Sequence, residues 1–393
     1  MSRNRVALTG GPVAVYRYCS TMSRDTALRR RLRTVRSSPT FRLSGLLSVA
    51  LLVTFAAPIV VWSQAASATK TTWVDQNVTF TSGTMTIYAT FRHPSDNEVV
   101  PGVLLIAGSG PTDRNGNSTL VPGPVDTLKT LADWLSKDGV ASLRYDKLGS
   151  GQTGLGPYAT NPDSIGASVF EQEARSALEF LANEKDVNDH ELGVFGHSEG
   201  ALFSLLLATG HAGTTPPIHA LGLIEPLSQR YLDLLTDQVD AVLSAEVKSG
   251  AIKASLEKTV QKVLASAVAQ IRATGTVKSG LPYGLANLLN PYDALFYSQA
   301  DRFDPAVLAS EVARGTPVLL TCSNDDIQVT CGEVHRVAQG LHSSTTHVDF
   351  VHLVGVDHVL KVDNSLTGAN YAKKLPFSPQ LKTALKSFVA KYL

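Results

Sequence analysis

From Trp73 onward the chain moves between two hydrophobic periods. Trp73 to Phe80 and Thr84 to His93 alternate, with Thr86, Tyr88, Thr90 and Arg92 opposed to Ile87, Ala89 and Phe91. This period of two predicts an antiparallel strand pair. Short apolar runs and amphipathic stretches then take turns. The runs predict strands over Gly102 to Ala107, Val140 to Tyr145, Glu191 to Phe195, Ala220 to Glu225, Pro317 to Thr321 and His347 to Leu353. The intervening spacing predicts helices over Val125 to Lys137, Ser164 to Glu184, Ser198 to Ala208, Cys331 to Leu341 and Pro379 to Tyr392. Regular alternation of strand and helix implies an α/β fold with a doubly wound, mostly parallel sheet. Between Glu225 and Gly315 the period changes. Leu232, Leu235, Val239 and Val242, then Leu256, Val260, Val263, Leu264 and Ala267, recur at helical spacing with no strand-like run between them. The expected organisation is a core of residues 69–225 and 316–393 and an inserted helical cap of residues 226–315. A cap leaving one sheet strand and returning before the next would lie over the sheet's C-terminal edge, where such sheets bind ligands.

Charge changes the picture at the N-terminus. The chain carries 35 Lys and Arg against 34 Asp and Glu, but ten of the arginines and only Asp25 among the acids lie in residues 1–42. Beyond residue 68 there remain 25 basic and 33 acidic residues, a net charge of about −8. So acidic a body argues against a nucleic-acid partner. The basic run precedes an uncharged apolar stretch from Leu43 to Trp62 and then Ala66-Ser67-Ala68. This order reads as a basic region plus an export signal over residues 1–68, with cleavage expected after Ala68 and an uncleaved membrane anchor as the competing reading. The expected location is outside the cytoplasm, secreted or held at the cell envelope. The long basic region also suggests a start at Met22; Arg30-Arg31 is only a weak twin-arginine match. Cys19 falls in this segment. Cys322 and Cys331, nine residues apart, could pair in an oxidising compartment or remain buried thiols.

The chemistry centres on Gly196-His197-Ser198-Glu199-Gly200, placed between a predicted buried strand and a predicted buried helix. A GxSxG turn in that context holds a serine above the sheet edge, because glycine two positions either side allows close backbone approach. Ser198 is the candidate nucleophile. A serine hydroxyl needs a base to take its proton and an acid to orient the base. After the strand Pro317 to Thr321 come Asp325 and Asp326; Asp326 is the candidate acid and Asp325 the alternative. His358, in a short loop after the last predicted strand, is the candidate base, with His352 as runner-up. His197 would be badly aimed as a base beside its own serine, so a structural role is expected for it. An oxyanion also needs donors. The backbone N–H groups of Glu199 and of Ser109, in the Gly-rich stretch Ala107 to Asn117, are the candidates. That stretch lacks the spacing of a phosphate-binding loop.

The chain resembles the α/β-hydrolase superfamily, and more narrowly bacterial hydrolases similar to the serine aminopeptidase-like group. The resemblance spans roughly residues 73–393. It rests on Gly108-Ser109-Gly110-Pro111 with Asp113 to Asn117, on Arg144-Tyr145-Asp146-Lys147 with Gly149 and Gly151, on the GxSxG turn, on Asp326 to Val329 and on Asp357-His358. It implies nucleophile Ser198, acid Asp326, base His358 and an oxyanion amide at Ser109. Ala107 departs from the pattern, standing where many relatives have histidine, and the cap sequence matches nothing assignable. Arg144 to Lys147 read as a charged cluster that organises neighbouring loops. The expected activity is hydrolysis of a carboxylic ester through an acyl-enzyme, acting on a small ester or acyl substrate and needing no metal or organic cofactor. An aminopeptidase or acyltransferase using the same residues is the first alternative, with Glu225, Asp233, Asp237 and Asp240 as carboxylates for a substrate ammonium group. A non-catalytic binding protein that keeps the fold is the second.

Overall fold

The computed structural model describes residues 71–344 and 347–393. The basic region, the apolar stretch, Cys19 and Met22 lie outside the described residues. Eight strands form one sheet in the order β1-β2-β4-β3-β5-β6-β7-β8. They are β1 (Trp73–Ser82), β2 (Met85–Pro94), β3 (Val100–Ile106), β4 (Ala141–Tyr145), β5 (Val187–His197), β6 (Ala220–Ile224), β7 (Pro317–Ser323) and β8 (His347–Leu353). β1 pairs antiparallel with β2, and β2 with β4; every other pairing is parallel. The sheet is flanked by α1 (Thr127–Lys137), α2 (Ala167–Ala182), α3 (Glu199–Ala208), α8 (Cys331–Ser343) and α9 (Pro379–Tyr392), with α4 (Tyr231–Ser249), α5 (Ala254–Thr274), α6 (Pro291–Ala300) and α7 (Pro305–Glu311) between β6 and β7.

The period of two in β3 sorts its side chains between two layers. Val103 and Leu105 pack with Leu128, Leu131 and Leu135 of α1 and Leu385 and Phe388 of α9. Leu104 and Ile106 face the other way, into the larger core with α2 and α3. Helix α3 is apolar around its whole circumference because it is covered on all sides; Gly200 to Leu207 are all buried. Such a helix must occupy the middle of the layer, and this places the start of α3 at the centre of the sheet's C-terminal edge.

The strand expected from Glu191 to Phe195 begins instead at Val187. Val187 and Asn188 pair with Val100 and Pro101 before a register shift, and Leu192 then pairs with Gly102. The added residues Asn188 to His190 are polar, so hydrophobic patterning does not register them. In the excursion after β6, Asp301 gathers α4, α5 and α6. Its carboxylate accepts from Arg230 at 2.8 Å, from Arg272 at 2.8 Å and from the N–H of Leu232 at 2.8 Å. Helix α7 instead packs on α8, where a Cβ on Gly340 would come within 2.1 Å of the Ala306 carbonyl oxygen.

Candidate functional site

The strand β5 runs straight into α3 through Ser198, whose backbone is held at φ 56° and ψ −122°. That positive φ is costly for a residue with a Cβ and persists only where the surroundings enforce it. They do so here through close packing. A Cβ on Gly196 would lie 2.2 Å from the Gly200 carbonyl, and one on Gly200 would lie 2.3 Å from the Ile106 carbonyl oxygen. The Ser198 N–H donates to the Ile224 carbonyl at 3.0 Å, so β6 braces the turn.

Asp326 and His358 meet across the loops that follow β7 and β8. His358 Nδ1 donates to Asp326 Oδ2 at 2.7 Å, and Asp326 Oδ1 accepts from the N–H groups of Gln328 at 2.7 Å and Val329 at 3.1 Å. Both side chains are buried. Ser198 and His358 border one cavity of about 50 Å³, together with Gly108, Ser109 and His197. His197 Nε2 donates to the His358 carbonyl oxygen at 2.7 Å and so holds the segment that carries His358. Burial, with the neighbouring His358, pushes His197 down to about 3, so it is a neutral ring at every ordinary pH.

The alternatives sit elsewhere. Asp325 turns away from His358 and accepts from the Gly355 N–H at 2.9 Å, bracing the loop after β8. His352, on the edge strand, contacts Asn324 Oδ1 at 2.8 Å and is exposed. Cys322 and Cys331 form a disulfide with Cα atoms 5.1 Å apart, closing the loop that carries Asp326. Of the cap carboxylates named from sequence, Asp233 is engaged with Arg272 at 2.7 Å and Asp237 with Gln229 at 2.8 Å, whereas Asp240 keeps a buried Oδ1 without a hydrogen-bond partner among the described residues.

Glu225 belongs to the sheet edge and not to a cap helix. It follows β6 with φ 43° and is fully buried, with its Oε1 accepting from Thr321 Oγ1 at 3.2 Å. Burial and the facing Asp326 carboxylate raise its pKa well above the usual carboxylate range. Among the described residues no donor reaches Glu225 Oε2, and a proton on Glu225 lets it donate to Asp326 instead of repelling it.

Lys147 is the residue whose reach sequence reasoning understated. It is 1% exposed, and its Nζ donates to Glu199 Oε1 at 2.9 Å and to the Gly108 carbonyl oxygen at 2.5 Å. Tyr231 of α4 donates its hydroxyl to the other oxygen, Glu199 Oε2, at 2.7 Å. A planar trans peptide points its C=O and N–H in opposite directions. Pinning the Gly108 oxygen on Lys147 therefore turns the Ser109 N–H away from Lys147. Asp146 acts on the same loop from further back, accepting from the Arg114 N–H at 2.9 Å and from its guanidinium at 2.7 Å.

No protein-family model matches the chain, and no curated protein sequence matches it. Solved structures do. A structure of ferulic acid bound to Est1E from Butyrivibrio proteoclasticus superposes with a TM-score of 0.50 at 15% identity, over 80% of this chain and 98% of that one. The esterase Pf2001 of Pyrococcus furiosus gives a TM-score of 0.50 at 14% identity, over 81% of this chain and 91% of that one. Together with the sheet order, these matches decide the architecture. The chain has the α/β-hydrolase fold. Within an α/β-hydrolase fold, the ends of β3, β5, β7 and β8 converge on one edge, and these are the strands that deliver Ser109, Ser198, Asp326 and His358. Lys147 follows β4, the neighbour of β3 in the sheet. A lysine two residues beyond the end of β4, matched by a glutamate inside the GxSxG turn, is the sequence signal that could have linked the two.

Proposed function

We propose that the protein is a serine hydrolase that cleaves carboxylic esters through an acyl-enzyme. The observation that carries this reading is the 2.7 Å contact between His358 Nδ1 and Asp326 Oδ2, made beside a cavity that Ser198 also borders. Ser198 Oγ attacks the ester carbonyl carbon while its proton passes to His358 Nε2. The new C–O bond opens the carbonyl π bond, placing negative charge on the oxygen. The N–H groups of Ser109 and Glu199 receive that charge; Glu199 opens α3, where N–H groups lack an intrahelical acceptor. The C–O bond to the alcohol then breaks, and His358 returns the proton to the leaving oxygen. Water, deprotonated by His358, releases the acid by the same steps in reverse order. Asp326 holds the ring tautomer, and a protonated Glu225 donates to Asp326 from behind. Lys147 positions the Ser109 amide through the Gly108 carbonyl.

The engaged state of Asp233 and Asp237 gives no support to an aminopeptidase. The Cys322–Cys331 disulfide supports an oxidising compartment, in keeping with export. The test is a Ser198→Ala protein assayed on p-nitrophenyl acetate and with a fluorophosphonate probe. Loss of about 10³-fold or more in kcat, with loss of labelling, is expected. Hydrolysis at the parental rate would remove the reading.

A further inference from the structure

Among the described residues, two small cavities have the candidate nucleophile in their walls and a larger one lies beside them. The first, of about 50 Å³, has Ser198 and His358 in its wall. A second, of about 30 Å³, lies between Ser198, Glu199 and Tyr231. The third, of about 330 Å³, is walled by Leu120, Leu148, Leu155, Ile165, Phe170 and Phe296, with Gly110, Lys147, Glu199 and Asp293 as neighbours. Only the third falls in the size range of small-molecule pockets, roughly 300–1,000 Å³. The other two hold little more than one or two waters at roughly 30 Å³ each.

The catalytic cycle assigns sides to these spaces. His358 must hand a proton to the leaving alcohol, so the alcohol lies where His358 is, in the 50 Å³ cavity. The large cavity has no wall from His358 or Ser198; it meets the site at Glu199, which also walls the 30 Å³ cavity together with Ser109 and Ser198, so the small cavity is the passage from the oxyanion amides toward the large one. The acyl group extends from the carbonyl on that side. We infer that the cavity between the Ser109 loop, α2 and the cap helix α6 is an acyl-binding site, and that the substrates are esters of a bulky, apolar, uncharged acid with a small alcohol. This rests on the hydrolase reading given above.

Charge on the walls points the same way. Lys147 and Glu199 are paired at 2.9 Å, and Tyr231 occupies the second Glu199 oxygen, so neither presents an unmatched charge. Asp293 accepts from Asn290 at 2.6 Å and is the remaining carboxylate among the lining residues. An acyl chain ending in a carboxylate would enter an apolar cavity beside Asp293 with no unpaired cation among the described lining residues to receive it. Phe170 and Phe296 meet edge to face at 5.4 Å, which joins core and cap across the site and makes its width depend on both.

Two ester series test this: methyl acetate, hexanoate and 3-phenylpropanoate with the alcohol held constant, and methyl, hexyl and benzyl acetate with the acid held constant. We expect kcat/KM to rise about tenfold or more along the first series and to stay level or fall along the second; tenfold corresponds to burying only about two methylene groups. Monomethyl adipate should be hydrolysed more slowly than methyl hexanoate. Leu155 lines the cavity yet is 40% exposed, so it can be changed without overfilling the core. Leu155→Trp should lower the hexanoate-to-acetate ratio, and Leu155→Ala should leave that ratio equal or higher. A preference that follows the alcohol, or a ratio indifferent to Leu155→Trp, overturns the acyl assignment while the hydrolase reading stands. Turnover of none of the esters, with no fluorophosphonate labelling of Ser198, overturns both.

Discussion

Lys147 shows how a single charge can act on a site it does not enter. Its Nζ, held by Glu199, polarises and orients the Gly108–Ser109 peptide, and an oxyanion donor is useful only if it already points where charge develops. Loss of one such donor typically costs about 2.7–4 kcal/mol of transition-state stabilisation. Lys147→Met should therefore lower kcat roughly 10–100-fold with KM little changed, a smaller loss than deleting the donor because the amide remains. Removing the cation alone leaves Glu199 buried and uncompensated, which destabilises by about 3–5 kcal/mol. The double variant Lys147→Met/Glu199→Gln separates the two effects. Steady-state kinetics beside urea unfolding should show its stability recovered and its kcat still low; recovery of both would reduce Lys147 to a structural ion pair. Glu225 is a second case at this scale. Two enclosed carboxylates face each other beside His358, and their hydrogen bonds differ: Asp326 accepts from two backbone N–H groups and an imidazole, whereas Glu225, with its pKa raised well above the usual carboxylate range, accepts from Thr321.

The loop from β7 to α8 is the element on which the proposed triad depends most. It carries Asp326, starts at a buried Cys322 and ends at Cys331 on the first turn of α8, so the disulfide closes a short ring around the acid. Thr330 caps α8 by accepting from the Glu333 N–H, while the Glu333 side chain accepts from the Thr330 N–H, which secures the far end of the loop. A ring of this size restricts the unfolded chain by about 2–3 kcal/mol. The Cys322→Ser/Cys331→Ser protein should lose about that much stability in urea. It should also turn over more slowly, because Asp326 then has more positions available. Full activity at reduced stability would mean that the backbone N–H groups of Gln328 and Val329 hold the acid without help. Between β6 and β7, the Asp301 cluster plays the corresponding part by holding α4, and with it Tyr231, against Glu199.

Over the whole molecule, the buried acids set how stability depends on pH. Burial raises Glu173 of α2 to about 8 and Asp357 to about 7, from ordinary values of 4.5 and 3.8. The folded state therefore keeps protons that the unfolded chain releases. Stability from these two groups is complete below about pH 4 and falls as pH rises through 7 and 8. Glu173→Gln retains an acceptor for the Leu148 N–H and cannot ionise. Urea unfolding at pH 5, 7 and 9 should show the variant declining less steeply, with an advantage on the order of a few kcal/mol at pH 9. Parallel curves for the two proteins would sink this account. Much of the architecture was legible beforehand because burial leaves a trace in the sequence: β8 and α9 fall where an apolar run and helical spacing put them, and Gly196 and Gly200 announce a turn that no larger residue fits. The candidate acid and base were legible as residue types following strands, but the choice of Asp326 over Asp325 was not. Adjacent residues share composition and differ only in direction, which the Gly355 and His358 contacts determine. Local order thus comes from the sequence, since it depends on spacing along the chain. Tertiary structure alone decided that Lys147 reaches Gly108, that Glu225 faces Asp326, and which cavity is large, because each depends on distances between segments far apart in the chain.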